Sequence, residues 1–339
     1  MRKLRILMLM HEELVPPASV TPQQKKEMPE WLLEYRICNE LENMGHKLLK
    51  LGLNYDLRPL RDSIDEFKPH IAFNLLEHFH YQVQFDQNIV SYLELRKIPY
   101  TGCNPRGLTL ARDKALTKKV LAYHRIPIPI FAVMPRGRHI KRPKRLGFPL
   151  IVKPLVEQGS HGISQASVVD SDEKLIERVK FVHQSINTDA IIEQYIDGRE
   201  LYVGMLGNRR LQVFPTWELD FTKMQADSIP IASSRVKWNK KYQKRHGLKW
   251  RKGKLEPAAE QILAKLSKRI YRALNLSGYA RLDYRMTDQG KFYLLEANPN
   301  PSLRKEDEFA EAAKASGVDY GTLVKQIVNT GLQGARTGP

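Results

Sequence analysis

The chain has 339 residues, of which 42% are hydrophobic, enough for two or three domains with packed cores. No apolar run approaches the ~20 residues of a membrane-spanning helix, so no membrane segment is expected. The formal net charge is +18, from 55 Lys and Arg against 37 Asp and Glu. An excess of this size is typical of proteins that bind nucleic acid, acidic partners or nucleotide phosphates.

Two features indicate the compartment. The first ten residues, MRKLRILMLM, are too short for a secretion signal and are followed by His-Glu-Glu, so they predict a first β-strand. Cys38 and Cys103 are the only cysteines, and they lie far apart in the sequence. They indicate neither a disulfide framework nor a thiolate metal site, and we expect a cytoplasmic protein.

The first hundred residues alternate between short apolar runs and amphipathic runs. Strands that alternate with helices predict a parallel, Rossmann-like sheet, with a domain boundary near 99–106. The strands are predicted at 5–10, 46–51 and 70–76, and the helices at about 30–44 and 87–97.

The remainder mixes helices with antiparallel strands, so the fold class is α/β with α+β character in the C-terminal half. We expect units at 1–104, 105–189 and 190–331, followed by a frayed tail at 332–339. The predicted helices are 108–124, 172–184, 257–274 and 320–330, and the predicted strands are 148–155, 190–196, 200–206 and 210–219.

The most informative segment is 279–303, YARLDYRMTDQGKFYLLEANPNPSL. Two apolar runs flank the turn signal Asp288-Gln289-Gly290, which predicts a β-hairpin. A two-residue loop would pair Asp283 with Leu294 and Arg281 with Glu296. Directly paired residues project to the same face, and a one-residue slip would separate them. The face predicted to be polar carries Arg281, Asp283, Glu296 and Asn298, and the opposite face carries Leu282, Tyr284, Tyr293 and Leu295.

Such a polar face has two interpretations. Two carboxylates and an amide oxygen suit Mg²⁺, and Arg281 beside them could stabilise charge on a transferred phosphoryl group. The alternative is an Arg281–Glu296 ion pair on a solvated face, worth about 0.2–1 kcal/mol. The Asn-Pro-Asn-Pro that follows ends the strand and fixes an irregular loop beside the cluster, which favours the first interpretation.

A candidate phosphate loop runs from Glu157 to Ser164 (EQGSHGIS), where small residues let backbone N–H groups approach an anion. Lys153 interrupts the apolar run FPLIVKPL just before it. Because an unpaired buried ammonium is costly, Lys153 is expected to meet an anion. The alternatives are an ordinary turn for the loop and a strand-end lysine with its head in water.

The positive charge is concentrated at 235–254, where half the residues are Lys or Arg, interleaved with Trp238, Tyr242 and Trp250. A second basic patch covers 136–145. The first run is either a solvated face or, since its aromatic residues offer packing surface, a cover over an anionic ligand.

From about residue 97 to the last helix, the chain resembles ATP-grasp carboxylate–amine ligases, and D-alanine–D-alanine ligases most closely. The resemblance implies an ATP-grasp fold preceded by a Rossmann-like domain. The matching pieces are IPYTG (98–102), ARDKALTKKVL (111–121), FPLIVKP with its glycine loop, IIEQYIDGRE (191–200), ARLDYR (280–285) and LLEANPNPSL (294–303).

The resemblance assigns a role to each matching residue. Asp283, Glu296 and Asn298 match Mg²⁺ ligands, with Mn²⁺ as a substitute, and Arg281 matches the residue that steadies the acyl phosphate and the tetrahedral intermediate. Ser160 and Lys237 join Arg281 among the candidate catalytic residues. The residues matched to ATP binding are Lys114, Lys153 and Lys237 for the phosphates, Gly159, Ser160 and Gly162 in a flexible lid, Glu193, Gln194, Tyr195 and Ile196 around adenine, and Glu200 on the ribose.

The implied reaction has two steps. A substrate carboxylate attacks the γ-phosphate of ATP to give an acyl phosphate and ADP, and an amine then displaces phosphate to leave an amide. The protein mainly positions its substrates and neutralises charge. The chain has no Ser-His-Asp or Cys-His pattern, which agrees with a reaction that needs no covalent nucleophile.

The chain departs from the D-alanine ligases where substrates bind. In place of their His-Gly and Gly-Glu-Asp-Gly segment it has EHFHYQVQFDQN (77–88), in which His80 and Asp86 align. Glu12 or Glu13 could replace the glutamate that holds the first amino group. The glycine and serine that hold the second D-alanine carboxylate fall at Ser302 and Asp307, and an acid at Asp307 would repel that carboxylate.

We therefore expect an amide ligase that acts on a small-molecule or peptide carboxylate and an amine, but not on D-alanine. One alternative is a true D-alanine–D-alanine ligase. Another is a binding protein for nucleic acid or an acidic partner on a retired enzyme scaffold, which we disfavour because the phosphate and metal residues are all present. A phosphotransferase could use the same ATP site, and a homodimer is compatible with the resemblance.

Overall fold

The computed structural model describes residues 3–27, 29–157, 159–224 and 228–337, and in these ranges the chain forms three sheets. Mixed helices and sheets confirm the α/β fold class. Gln158 of the predicted phosphate loop, the side chain of Trp238 and the last two residues of the predicted tail, Gly338 and Pro339, lie outside the described part.

The N-terminal sheet is parallel, as predicted, because its strands are connected by crossover helices. Its order is β2-β1-β3, so the carboxyl ends of all three strands meet at one edge. Helix α3, which crosses from β2 to β3, was not predicted. The elements are β1 (Arg5–His11), α1 (Pro22–Lys26), α2 (Leu32–Asn43), β2 (Lys47–Leu53), α3 (Arg58–Phe67), β3 (Ile71–Asn74) and α4 (Asp86–Leu95).

Two helices replace the single helix predicted at 108–124, and that prediction was wrong. Helix α5 (Pro105–Arg112) ends before Asp113, and α6 (Lys114–Tyr123) begins directly after it. The Asp113 carboxylate accepts hydrogen bonds from the backbone N–H groups of Ala115 (2.8 Å) and Leu116 (2.9 Å), which caps the new helix. The break places Lys114 at the first position of α6.

The central sheet is antiparallel, with the order β4-β7-β5-β6. Its middle strands β5 and β7 are almost wholly buried, which explains their continuous apolar sequences. Ile151 of β5 pairs with Glu193 of β7, and Lys153 lies two residues further along β5. The elements are β4 (Phe131–Met134), β5 (Leu150–Pro154), β6 (Val168–Val169), α7 (Asp172–Phe181) and β7 (Ala190–Gln194).

The C-terminal sheet is antiparallel, with the order β11-β10-β8-β12-β13 and β9 beside β8. Two short helices and edge strand β11 occupy the basic run 235–254. The elements are β8 (Arg199–Leu206), β9 (Gln212–Val213), β10 (Trp217–Asp220), α8 (Ser234–Trp238), α9 (Lys240–Arg245), β11 (Lys249–Lys252), α10 (Pro257–Ala273), β12 (Tyr279–Met286), β13 (Phe292–Pro299), α11 (Glu308–Ala315) and α12 (Tyr320–Thr337).

The β12–β13 hairpin is present, but its predicted pairing was wrong. Asp283 lies opposite Glu296, and Arg281 lies opposite Asn298. A β-bulge at Leu295 lets Tyr284 pair with Leu294, and the turn is longer than two residues. The predicted apolar face is corrected accordingly: Phe292 and Leu294, rather than Tyr293 and Leu295, pack with Leu282 and Tyr284 in the core.

Helix α12 continues to Thr337, beyond the predicted end near residue 330, so most of the predicted tail is helical. It packs against α2 and β3, and its Leu323, Val324 and Ile327 share one core with Ile6 and Phe73 of the N-terminal sheet. No helix in the described ranges has both the length and the apolar character to span a bilayer.

Candidate active site

A pocket lies between the central and C-terminal sheets, and most of the residues predicted to bind ATP line it. Gly159, Gly162, Arg281 and Asn298 do not line it, and the last two lie further along the hairpin. The predicted residues on its walls are Lys114, Lys153, Ser160, Glu193, Gln194, Tyr195, Ile196, Glu200, Lys237, Asp283 and Glu296.

A buried cluster of charge forms one wall. The Lys153 ammonium lies 2.9 Å from Glu193, so the anion expected for Lys153 is present within the protein. Lys118 lies 3.3 Å from the same carboxylate and donates a hydrogen bond to the Leu295 carbonyl oxygen (3.1 Å). Burial alone would raise the pKa of Glu193, but the two ammonium groups lower it. Two cations on one carboxylate leave the cluster with a net positive charge, which favours a bound anion.

Lys118 was not among the predicted residues. It follows Lys114 by four positions, and residues with that spacing share a helix face. The helical spacing was the signal that could have identified it, because Lys114 already pointed toward the site.

Lys114 connects the helix to the hairpin. Its ammonium lies 3.1 Å from Glu296 and donates a hydrogen bond to the Glu157 carbonyl oxygen at the start of the candidate phosphate loop. Burial would raise the pKa of Glu296, but Lys114, Lys237 and Lys153 outweigh it and lower the pKa to about 2. Glu296 is therefore a carboxylate at neutral pH with three lysines in range.

Asp283 is held by Arg281, which lies two positions before it on the same face of β12. The guanidinium makes two hydrogen bonds to Asp283, at 2.7 and 2.9 Å. Its remaining terminal nitrogen contacts Glu308 at the start of α11. Asp283 and Glu308 together accept a hydrogen bond from each of the three nitrogens of the Arg281 guanidinium, and neither contact was anticipated from the sequence.

The far side of the pocket contains an unpredicted arginine. Arg285 donates to Glu200 (2.8 Å) and to the Gly198 carbonyl oxygen (2.6 Å), and Tyr202 donates to Glu200 (2.6 Å). Arg285 lies two positions after Asp283, so strand alternation could have placed it on the polar face.

The candidate phosphate loop contacts the segment that leads into the basic run. The Ser160 hydroxyl donates to the Ala232 carbonyl oxygen (2.6 Å), and the Ser234 hydroxyl donates to the Ser160 carbonyl oxygen. Gln165 exchanges two hydrogen bonds with the backbone of Ile229, at 2.8 and 2.9 Å. The two segments therefore close one side of the pocket together.

The substrate candidates fall into two groups outside this pocket. Glu12, Glu13 and His80 lie at the carboxyl edge of the N-terminal sheet. Asp86, in contrast, forms a buried ion pair with Arg112 that ties α4 to α5, which is a structural role.

The second group lies on the loop after β13. The Ser302 hydroxyl accepts a hydrogen bond from the Arg304 backbone (3.3 Å). Burial raises the pKa of Asp307, and the neighbouring Glu308 raises it further, while Ser302 and Arg304 partly offset both effects. Two acidic residues of this segment, Asp307 and Glu308, therefore lie close to Arg281.

The donor set of the hairpin suits a magnesium ion. Asp283 and Glu296 lie directly opposite each other, and buried Asn298 follows on the same face with its side-chain nitrogen unpaired among the described residues. Within those residues no three His, Cys, Asp or Glu side chains converge on a metal site. Two carboxylates and an amide are the few ligands that magnesium takes when phosphates and water supply the others.

The chain is similar in sequence to D-alanine–D-alanine ligases. A family model described as D-ala D-ala ligase C-terminus matches residues 121–329. A D-alanine–D-alanine ligase of Bordetella petrii is 31% identical over 72% of this chain and 71% of its own. An uncharacterised protein, y4sG, of Sinorhizobium fredii is 29% identical over 91% of this chain and 90% of its own.

Among solved structures, the D-alanine–D-alanine ligase of Bacillus anthracis complexed with ATP aligns with a TM-score of 0.74. The alignment covers 98% of this chain and 99% of that one, at 22% sequence identity. The likeness extends over both the N-terminal sheet and the two sheets that enclose the pocket.

Proposed function

We propose that this chain, which belongs to the D-alanine–D-alanine ligase family of ATP-grasp enzymes, joins a carboxylate to an amine other than D-alanine. It is an ADP-forming ligase that uses ATP and Mg²⁺.

We assign nucleotide binding to the pocket between the sheets. Lys114, Lys153 and Lys237 neutralise the phosphates, and the buried positive cluster around Glu193 supports this role. We assign adenine to the strand end at 194–196 and the ribose to Glu200, which accepts a hydrogen bond from Arg285. These side chains position ATP, while the loop at 159–163 excludes water from the transferred phosphoryl group.

We assign the metal to Asp283, Glu296 and Asn298. These three side chains would hold Mg²⁺, which would supply neutralisation of the phosphate charge. Lys114 helps to lower the pKa of Glu296 and keeps it ionised, while burial raises the pKa of Asp283 and Arg281 partly offsets that rise. Arg281 lies beyond the pocket, on the hairpin face that leads toward the loop after β13, where an incoming substrate would approach.

The observation that carries the substrate proposal is the contact between Arg281 and Glu308. Because each nitrogen of Arg281 already contacts a carboxylate, Glu308 competes with the carboxylate of a second D-alanine for this arginine. Asp307 adds negative charge beside it. This surrounding favours a nucleophile that is cationic before it reacts and lacks a carboxylate next to its amine.

The test is ADP release from the purified protein with Mg²⁺, ATP and matched pairs of substrates. Diamines and amino-acid amides as nucleophiles are expected to support turnover at least tenfold better than free amino acids, with the amide product identified by mass spectrometry. Faster turnover with D-alanine alone than with any of these would contradict the proposal.

A true D-alanine–D-alanine ligase is the second candidate. Its support is the Bordetella petrii relative, which is named as that enzyme and is 31% identical to this chain. Under this alternative Glu308 would have to leave Arg281 when D-alanine binds, and dipeptide formation would be robust in the wild type.

A further inference from the structure

A second cavity, the distal cavity, lies between the end of β8 and helix α12. Its volume is about 480 Å³, which is within the range of small-molecule sites. Glu200 lines the nucleotide pocket and Leu206 lines the distal cavity, and the two residues are six positions apart on β8. Six residues of a strand span roughly 20 Å. The distal cavity is therefore separate from the nucleotide pocket, with which it shares no lining residue.

One wall of the distal cavity is the tight turn between β8 and β9, which carries two arginines. Arg209 and Arg210 both line the cavity and are exposed, and within the described residues neither guanidinium forms a hydrogen bond or an ion pair. A Cβ added to Gly207, whose φ is 130°, would lie 2.1 Å from the Arg210 carbonyl oxygen, so the turn requires glycine there. None of the described residues that line the cavity is acidic. The wall therefore presents two unpaired cations.

The turn is fixed by hydrogen bonds to two other elements. Gly207 donates its N–H to the Gly278 carbonyl oxygen (2.8 Å), and its own carbonyl oxygen accepts from the Tyr271 hydroxyl (2.8 Å). The Asn208 side chain accepts from the Gly278 N–H (2.9 Å) and donates to the Thr330 carbonyl oxygen of α12 (3.0 Å). The backbone that carries the two arginines is thus held in place before any ligand binds.

The opposite wall consists of amide side chains on one face of α12. Gln326, Asn329 and Gln333 line the cavity at intervals of three and four residues, the spacing of one helix face. The Oε1 atom of Gln326 is buried and has no hydrogen-bond partner among the described residues, which is rare for a buried polar atom. Amides both donate and accept hydrogen bonds, so this wall suits hydroxyl groups. A ligand hydroxyl would supply the donor that Gln326 lacks.

The two walls together indicate the chemistry of a ligand. Two guanidinium groups without an opposing acid favour a group with more than one negative charge. A phosphate monoester carries a charge of about −1.5 to −2 at pH 7 and three acceptor oxygens. Arginine binds phosphate through two parallel hydrogen bonds, so a phosphate can engage both arginines. A carboxylate has one charge and two oxygens, which matches only one of them.

We propose that the distal cavity binds a phosphorylated sugar, either free or as part of a nucleotide, in addition to the ATP that the ligase reaction consumes. Arg209 and Arg210 contact the phosphate. Gln326, Asn329 and Gln333 form hydrogen bonds with the sugar hydroxyls.

The test titrates four probes by calorimetry: ribose 5-phosphate, UMP, ribose and inorganic phosphate. The full-length protein is first saturated with a non-hydrolysable ATP analogue and Mg²⁺, which keeps the probes out of the nucleotide pocket. Ribose 5-phosphate or UMP is expected to bind at least tenfold more tightly than ribose or inorganic phosphate. Tighter binding of UMP would identify a nucleotide as the ligand, and tighter binding of ribose 5-phosphate would identify a free sugar phosphate.

Arg209→Gln/Arg210→Gln is expected to weaken the binding of the phosphorylated sugar at least tenfold, because charge-assisted hydrogen bonds are the strong ones. Gln326→Ala is expected to weaken the phosphorylated sugar and to leave inorganic phosphate unchanged. Lys265→Gln/Lys325→Gln removes two exposed lysines outside the cavity, and this charge-matched control is expected to have no effect. Thermal melts check that each variant folds.

Equal affinities of the wild type and the arginine variant would overturn the proposal, as would the absence of saturable binding by both phosphorylated sugars. Inorganic phosphate that binds as tightly as they do would also overturn it, because the amide wall would then contribute nothing. Amide-bond formation by the arginine variant is measured separately and is expected to persist, so failure of this proposal leaves the proposed ligase function untouched.

Discussion

Lys153 and Glu193 form an ion pair, 2.9 Å long, between neighbouring strands of the central sheet, and both side chains face the pocket. Lys118 adds a second ammonium to the same carboxylate. The buried group is therefore stable only with both strands and α6 in place. It links the helix that carries Lys114 to the strand end assigned to adenine.

We expect Lys153→Ala to weaken ATP binding about tenfold or more, because a hydrogen bond to a charged group contributes about 1.5–3 kcal/mol. Calorimetric titration with a non-hydrolysable ATP analogue and Mg²⁺ measures the change. Lys119→Ala is the matched control, since Lys119 is an exposed lysine on α6. Unchanged affinity in Lys153→Ala would mean that Lys153 only neutralises Glu193.

Asp283→Asn and Glu296→Gln are each expected to lower Mg²⁺-dependent ADP formation at least 100-fold, because each removes the charge of an assigned metal ligand but keeps its shape. Thermal melts check that the variants fold. Asp288→Asn, in the exposed turn of the same hairpin, is expected to retain full turnover. Near-normal activity of both site variants would remove the metal assignment.

The variant Asp307→Ser/Glu308→Ala is expected to form D-Ala-D-Ala at least tenfold faster than the wild type, because Arg281 gains a free edge for a carboxylate. Mass spectrometry of the dipeptide and ADP release give the two rates. Glu306→Ala, which removes the exposed partner of Arg36, serves as the control. Equal rates in wild type and variant would show that Glu308 does not exclude D-alanine.

Glu34 gives stability a pH dependence. It is 3% exposed on α2, and burial, with Glu77 adding to it, raises its pKa from 4.5 to about 7. A raised carboxyl pKa means that the folded state holds its proton more tightly than the unfolded state. Stability from this group is therefore full below about pH 4.5 and is lost as pH rises through 7.

We expect Glu34→Gln to raise the melting temperature at pH 8 and to change it little at pH 4.5. The difference in unfolding free energy approaches about 3 kcal/mol, from 1.36 kcal/mol per pKa unit. Denaturant melts at both pH values measure it, with Glu30→Gln, an exposed residue, as the control. The same effect at both pH values would point to packing rather than titration.

The basic run 235–254 is expected to be cut by trypsin in the free protein and to be protected by an ATP analogue with Mg²⁺. Its dense positive charge is self-repelling until an anion binds, and Lys237 already lines the pocket. The other basic patch, 136–145, is an internal control whose cleavage should be independent of nucleotide. Equal cutting of 235–254 with and without ligand would contradict the assignment of this run as a lid.

The β12–β13 hairpin was predicted from the sequence in part: the faces of β12 were correct, and the pairing with β13 was not. Alternation along β12 placed Arg281 and Asp283 on one face, and this prediction was confirmed. The cross-strand register was wrong twice, by one residue at the turn and by one more at the Leu295 bulge. Together the two shifts move β13 by two residues relative to β12, which returns Glu296 and Asn298 to the face that carries Arg281 and Asp283. The predicted polar face was therefore correct, although the predicted residue pairs were not.

The remaining features were missed for two reasons: a local pattern concealed a helix break, and other contacts join residues far apart in the sequence. Asp113 could have been recognised as a helix cap, but an uninterrupted apolar spacing concealed the break between α5 and α6. The Arg281–Glu308 contact joins residues 27 positions apart in different elements, and no local pattern encodes it. The rings of His11, Tyr55 and Tyr81 come together only because three strands end at one edge of a sheet.

The contacts between the loop at Ser160 and the segment at Ala232 also affect the apparent affinity for nucleotide. Four of the hydrogen bonds that join these segments involve Ser160 or Gln165. At about 1 kcal/mol each, these bonds would limit the open form, in which the two segments are separated, to roughly a thousandth of the molecules. A ligand that enters only the open form then binds more weakly by that same factor, so the measured Kd of ATP reflects the opening equilibrium as much as the fit of the pocket.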